Sequence, residues 1–300
     1  MNSFNLNRFW KTLYWVLSVG YRKLLLWYVG SVTLVVFIGE LLFQKMNSFP
    51  YPDTAIHQYA QLGVGLFIIV SLIMISLFAF DYNNKRRRAT LLMLPSSNLE
   101  KYLSLVVFTS VIGIGCLFLA IVMGDSLRMA WNWMSDYNGP KLDCVMELRT
   151  TEGITYHWWS SAIPLLIEEI APDAIINPMG FPTDWVVMKC LLIVCFWLWL
   201  HSFYTLGGTL LRKYSFVVIS ICVLACLLIF VKIMFELQLN MFSISWVNGE
   251  LKEYEIGVMP YVLSVVLPIF AVFNYWASFR IFKGFQLMTN KWINYDILKR

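Results

Sequence analysis

Two apolar runs without a single charge, Tyr59 to Phe80 and Tyr102 to Met123, limit what this chain can become. Each is long enough, at ~20 residues per span, to cross the ~30 Å hydrocarbon core of a bilayer as a helix. In lipid every backbone polar group must find a partner within the protein, and an isolated apolar run does so only as an α-helix. Four further runs have the same character: Leu24 to Phe43, Trp185 to Leu211, Phe216 to Phe235 and Val258 to Phe279. The chain is 59% hydrophobic and 14% charged, against about 25% charged for a soluble domain. The expected fold class is all-α. It is a polytopic membrane protein with six transmembrane helices, an N-terminal interfacial helix and a large outer insert between helices three and four.

Residues 1–23 read as the interfacial helix. Leu6, Phe9, Trp10, Leu13, Tyr14 and Leu17 recur at helical spacing, opposite Arg8, Lys11, Thr12 and Arg22. That pattern suits a helix lying in the membrane surface, or the first turns of span one extended into the cytoplasm. Residues 24–300 form the six-helix domain, with the outer insert at 124–183. Sixty residues are too many for an idle connection, and the insert is rich in Trp, Pro and acid. Ser161 to Ile170 reads as a short helix within it. Glu236 to Gly257 is a second acidic outer segment, and Pro260 and Pro268 interrupt span six.

Charge orients the spans, because cytoplasmic loops collect Lys and Arg. With both termini cytoplasmic, sixteen of the 23 basic residues fall inside and fifteen of the 18 acidic residues outside. Every inner segment is then net positive. A five- or seven-span arrangement places a basic segment outside.

The strongest inner marker is the hinge from Asp81 to Tyr102. It carries Lys85-Arg86-Arg87-Arg88, a short apolar stub from Ala89 to Leu94, and Pro95. Ser97-Asn98-Leu99-Glu100 has the form of a capping box, in which each end residue's side chain satisfies the other's backbone N–H. A helix is expected to start there and run into span three. The apolar stub suits a groove on a partner. The basic run suits anionic headgroups or acidic partner residues, besides enforcing topology.

The signatures of soluble catalysis are missing from the sequence. There is no phosphate-binding G-x-x-x-x-G-K-[ST], no H-E-x-x-H and no G-x-S-x-G. His57, His157 and His201 are scattered. His201 is the one ionisable residue deep in a span, and with Asn274 it marks a possible intramembrane polar site. The bland reading is a neutral imidazole bonded to a neighbouring helix. Glu168-Glu169 reads as a solvated face, and the six cysteines, mostly in apolar runs, as small hydrophobes. Gly113-x-Gly115 and Gly207-Gly208 are expected to let helices pack closely. No cleavable signal peptide is visible. No catalytic residue, metal or cofactor is expected, and no enzyme activity.

Two stretches carry a resemblance. Thr90-Leu-Leu-Met-Leu-Pro-Ser-Ser-Asn-Leu-Glu-Lys-Tyr102 resembles the LLPASNLEK element of a bacterial ABC-2-type permease-like family. Leu206-Gly-Gly-Thr-Leu-Leu-Arg-Lys-Tyr-Ser-Phe216 resembles that family's LGSTLFRKNAF element at the same place in the topology. The departures include Ser96 for Ala and the pair Tyr214-Ser215.

The resemblance implies a membrane-spanning permease subunit of an ATP-driven transporter in the bacterial inner membrane. Its partners would be a separate ATP-binding-cassette ATPase, a second permease chain as homodimer or heterodimer, and membrane lipid, with no nucleic acid. The coupling loop would be 81–102, with Arg86, Arg87, Arg88, Leu91, Leu92, Leu94, Pro95 and Glu100 as the contact. An amphipathic or lipid-like substrate is the expected cargo. The alternative is a membrane-embedded scaffold or sensor that uses the outer insert without transport. An intramembrane enzyme built on His201 ranks last, since no second catalytic group lies at matching depth.

Overall fold

The computed structural model describes residues 4–45, 52–81, 85–134, 161–170, 183–211, 214–238, 240–247 and 250–284. The basic tail beyond Gly284, the middle of the outer insert and the Arg212-Lys213 turn lie outside the described residues. Five described stretches are long and apolar enough to cross a membrane: Leu6–Val36, Asn98–Met134, Thr183–Leu210, Ser215–Glu236 and Val258–Lys283. This is the build of an all-α polytopic membrane protein. The second expected span lies within a helix of its own, Pro52–Asp81, whose described apolar part is Tyr59–Ile75. The outward apolar side chains fit a lipid solvent. On Ser215–Glu236, for example, Ile221, Leu224, Leu228, Val231 and Phe235 are all exposed, a surface that water would not tolerate.

The chain folds as two compact units. Unit 1 comprises residues 1–19, 72–112 and 182–300; unit 2 comprises residues 20–71 and 113–181. Helix α1 runs from Leu6 to Lys45 without interruption. The expected interfacial helix and span one are therefore one continuous helix of ~60 Å at 1.5 Å per residue. The sequence offers no reason to stop between them: Lys23 and Leu24 are good helix formers, and no proline occurs from Leu6 to Lys45.

Unit 1 holds α3 (Lys85–Met93), α4 (Asn98–Val107), α7 (Thr183–Leu210), α8 (Ser215–Glu236) and α9 (Val258–Lys283), with the last turns of α2 (Pro52–Asp81). Its core includes Ile75, Leu200, Tyr204, Ile219 and Val223. Gly207 permits the contact of α7 with α8, since a Cβ there would run into the Ile219 side chain. Within the chain Gly115 faces open space.

Span six is not broken by its prolines. Pro260 sits in the first turn of α9, where a missing N–H costs nothing, and Pro268 lies inside a helix that continues past it. Pro268 cannot donate to the carbonyl of Ser264. The Cys195 thiol of α7 faces that carbonyl instead, Sγ to O 3.8 Å. Between α8 and α9 an antiparallel hairpin forms, β1 (Phe242–Val247) with β2 (Glu250–Ile256), bulged between Ser245 and Trp246. It stands in the acidic segment 236–257, for which no strand was expected. Phe242 packs on Trp185 at 4.8 Å between ring centroids, and the Lys189 ammonium lies over the Trp185 ring.

Unit 2 holds most of α1 and α2, α5 (Ile114–Met134) and α6 (Ile163–Ile170). Its core is Val35, Tyr59, Ala60, Ile121, Ala162, Leu165 and Leu166. The expected short helix of the insert is present as α6. Gly124 lets α5 meet α1, because a Cβ there would lie 2.7 Å from Val35 Cγ1. α4 and α5 are joined through a π-helical segment, Phe108–Gly113, rather than by a loop.

Candidate functional site

The hinge in unit 1 is built from local rules and one long-range grip. Ser97 is the N-cap of α4, with φ −67° and ψ 155°. Its hydroxyl accepts from Glu100 N at 3.2 Å, and Glu100 Oε2 accepts from Ser97 N at 2.8 Å. The expected capping box is complete. The other carboxylate oxygen does something no local rule predicts. Glu100 Oε1 accepts from Asn5 N at 2.8 Å and from Arg8 Nη2 at 3.2 Å.

Glu100 is fully buried. Burial alone would raise its pKa. The backbone N–H groups of Ser97 and Asn5, and then the Arg8 charge, outweigh burial and hold it below the ordinary carboxylate value. It is an anionic clamp and not a side chain presented to a partner.

The next residue fixes the stub itself. Lys101 Nζ donates to Leu92 O at 3.0 Å, a cationic cap on the open C-terminal carbonyls of α3. The expected contact residues divide accordingly. Leu91 is wholly buried. Leu92 and Leu94 are half-buried, and Pro95 is exposed. Met93, at 81% exposure, is the large apolar side chain the stub offers outward. Arg86, Arg87 and Arg88 lie in the first turns of α3; their side chains are outside the described residues.

The second expected site is a buried polar seam in the same unit. His201 on α7 is bonded on both ring nitrogens. Nδ1 lies 2.6 Å from the Tyr275 hydroxyl on α9, and Nε2 3.3 Å from Thr109 Oγ1 in the π-helical segment. The Thr109 hydroxyl also reaches the carbonyls of Leu105 and Val106, each at 3.1 Å, and Thr205 Oγ1 lies 3.5 Å from His201 Nδ1. The ring thus joins three helical segments. Asn274 does not meet His201. Its Nδ2 donates to Ser202 Oγ at 3.2 Å, and Thr209 Oγ1 and Ser278 Oγ pair at 3.0 Å elsewhere along α7 and α9.

Unit 2 contains a buried site that sequence reasoning missed. Asp125 and Arg128 on α5 are 1% and 2% exposed. Asp125 Oδ1 accepts from Arg128 Nε at 3.0 Å and Nη2 at 2.8 Å. Oδ2 accepts from Ser161 Oγ at 2.8 Å and Ala162 N at 3.1 Å, at the start of α6. All four acceptor positions of the carboxylate are thus used. The guanidinium carbon stacks 4.9 Å from the centre of the Tyr59 ring. The signal was the spacing itself. Asp125, Arg128 and Asn132 recur at i, i+3 and i+7 on one helical face, which argues for burial together on a helix and not for a solvated loop. Glu168 and Glu169 fall in α6, with side chains outside the described residues.

No protein-family model, curated protein or solved structure matches this chain.

Proposed function

We propose that the chain is the membrane-spanning permease subunit of an ABC-2-type ATP-driven transporter. It has six spans in a bacterial inner membrane and both termini in the cytoplasm. It pairs with a second permease chain, couples through residues 81–102 to a separate ATPase and exports an amphipathic or lipid-like substrate.

One observation carries the reading. The short basic helix Lys85–Met93 is held at its C-terminal end by Lys101, next to a start of α4 that Glu100 pins to Asn5 and Arg8. A stub fixed in this way can pass a push from a docked partner into α4 and from there into a long apolar helix. A floppy loop would absorb it. The resemblance of Thr90 to Tyr102 to the permease element points to an ATPase as that partner.

The test is co-purification from native membranes. An ATP-binding-cassette subunit is expected to accompany the wild-type chain and to be lost on Met93→Asp or Arg86→Glu, with α-helical content unchanged. A folded wild-type chain that carries no such subunit overturns the reading.

A second reading, the scaffold or sensor, draws on Asp125. Its carboxylate ties the start of the outer insert to Ser161 and Ala162, so the stretch between them is closed into a loop. Deleting residues 136–158 would leave transport intact if the first reading holds, and would abolish signalling if the second does.

A further inference from the structure

Unit 2 contains a cleft of about 350 Å³, lined by Leu26, Trp27, Gly30 and Leu34 of α1, Phe67 of α2 and Leu117 of α5. Its walls carry no charge. Its volume is more than twice the ~150 Å³ of an apolar cavity that takes up benzene. Its shape follows α1. From Leu26 to Leu34 the helix rises ~12 Å at 1.5 Å per residue, close to half of a ~30 Å hydrocarbon core. The cleft therefore spans about one leaflet. Gly30 keeps it open, since a Cβ built there meets nothing within 4 Å.

Charge lies at one end. Arg22 and Lys23 stand immediately before the cleft on α1. Lys23, Trp27, Gly30 and Leu34 share one helix face at i, i+4, i+7 and i+11. Trp27, between the basic pair and the apolar lining, is the residue type that anchors at the headgroup level. One end thus suits a phosphate, the next turn suits the headgroup boundary, and the remainder suits hydrocarbon of single-leaflet length.

We propose that this cleft holds one acyl chain of an anionic glycerophospholipid, drawn from the leaflet that faces Arg22 and Lys23, with its phosphate beside that pair. Hydrocarbon is already solvated by its neighbours in a bilayer, so apolar burial alone gives little selectivity. The headgroup charge supplies it. Two basic residues at the surface favour an anionic over a zwitterionic lipid by roughly ten- to thirty-fold. The site stands whether or not an ATPase couples to the chain.

The test is native mass spectrometry of the full-length chain released from detergent with dioleoyl phosphatidylglycerol or dioleoyl phosphatidylcholine. The wild type is expected to retain the glycerol lipid with a preference of about ten-fold or more. Arg22→Gln with Lys23→Gln should bring the two lipids to near parity. Gly30→Leu, whose side chain enters open space, should lose both. Wild-type binding by a folded Gly30→Leu variant, or no preference in the wild type, overturns the proposal. A second arm needs no variant. Phosphatidylglycerol bearing a photoreactive diazirine at mid-chain should label peptides containing residues 26–34 and 117 of the wild type. Label spread evenly over the other apolar helices overturns it as well.

Discussion

Arg8 and Glu100 stand 92 positions apart in the chain and 3.2 Å apart in space, Nη2 to Oε1. The carboxylate that meets Arg8 also closes the cap of α4. One side chain thus serves the start of a helix and the grip on the N-terminal segment, and neither can be removed alone.

Acid should loosen that double contact. Glu100 is held below its ordinary pKa in the folded chain. Its stabilising contribution is therefore present in full above the unfolded value, about 4.3, and is lost as pH falls through the folded one. Thermal melts of wild type and Glu100→Gln between pH 8 and pH 3 should differ most above about pH 5 and converge in acid. A gap that widens in acid would contradict the assignment. Ser97→Ala, which removes only the hydroxyl half of the cap, should cost about 1 kcal/mol with little pH dependence.

Asp125→Ala should be among the most damaging single changes in unit 2. It takes the bidentate carboxylate away from the buried Arg128 guanidinium, at about 3–5 kcal/mol. Replacing both residues, Asp125→Leu with Arg128→Met, should recover part of the loss, because the buried charge goes too. A chemical-denaturation cycle of the four proteins reads the coupling directly.

The glycines should separate by what surrounds them. Gly124→Ala places a methyl group 2.7 Å from the stiff β-branched side chain of Val35 and should destabilise by about 1–3 kcal/mol. Gly115→Ala meets nothing and should be neutral or stabilising by up to about 1 kcal/mol, because alanine favours the helix. Melting temperatures of the two variants decide it.

Tyr214 precedes α8 with φ 57°, a left-handed conformation that costs a bulky side chain roughly 1–2 kcal/mol. The permease element that this stretch resembles has asparagine at that place, a residue that tolerates the left-handed region. Tyr214→Asn and Tyr214→Gly should each raise the melting temperature, since the tyrosine ring is largely exposed and little packing is lost.

Much of this was legible in the sequence where the rule is local. Uncharged runs gave the long helices, because burial in lipid leaves the backbone one solution. The Ser97–Glu100 box was readable because both partners lie within one turn. The grip of Glu100 on Asn5 was not, since no local pattern links residues 95 positions apart. Two omissions were avoidable. Asn248-Gly249 between alternating residues is the strongest short hairpin signal, and it sits between β1 and β2 in the sequence. Asp125 and Arg128 fall in the expected insert and not in span three because a boundary at Gly124 cuts them off from the helix. A glycine inside a helical pattern is tolerated, and here it marks close packing.

The histidine seam braces the helices through a single ring. Tyr275 on α9 and Thr109 in the π-helical segment meet the two nitrogens of one imidazole on α7, and the Thr109 hydroxyl also reaches the carbonyls of Leu105 and Val106 one turn back. The ring acts as a cross-brace whose loss slackens three segments at once, so His201→Ala should be felt as loosened packing before it is felt as lost chemistry.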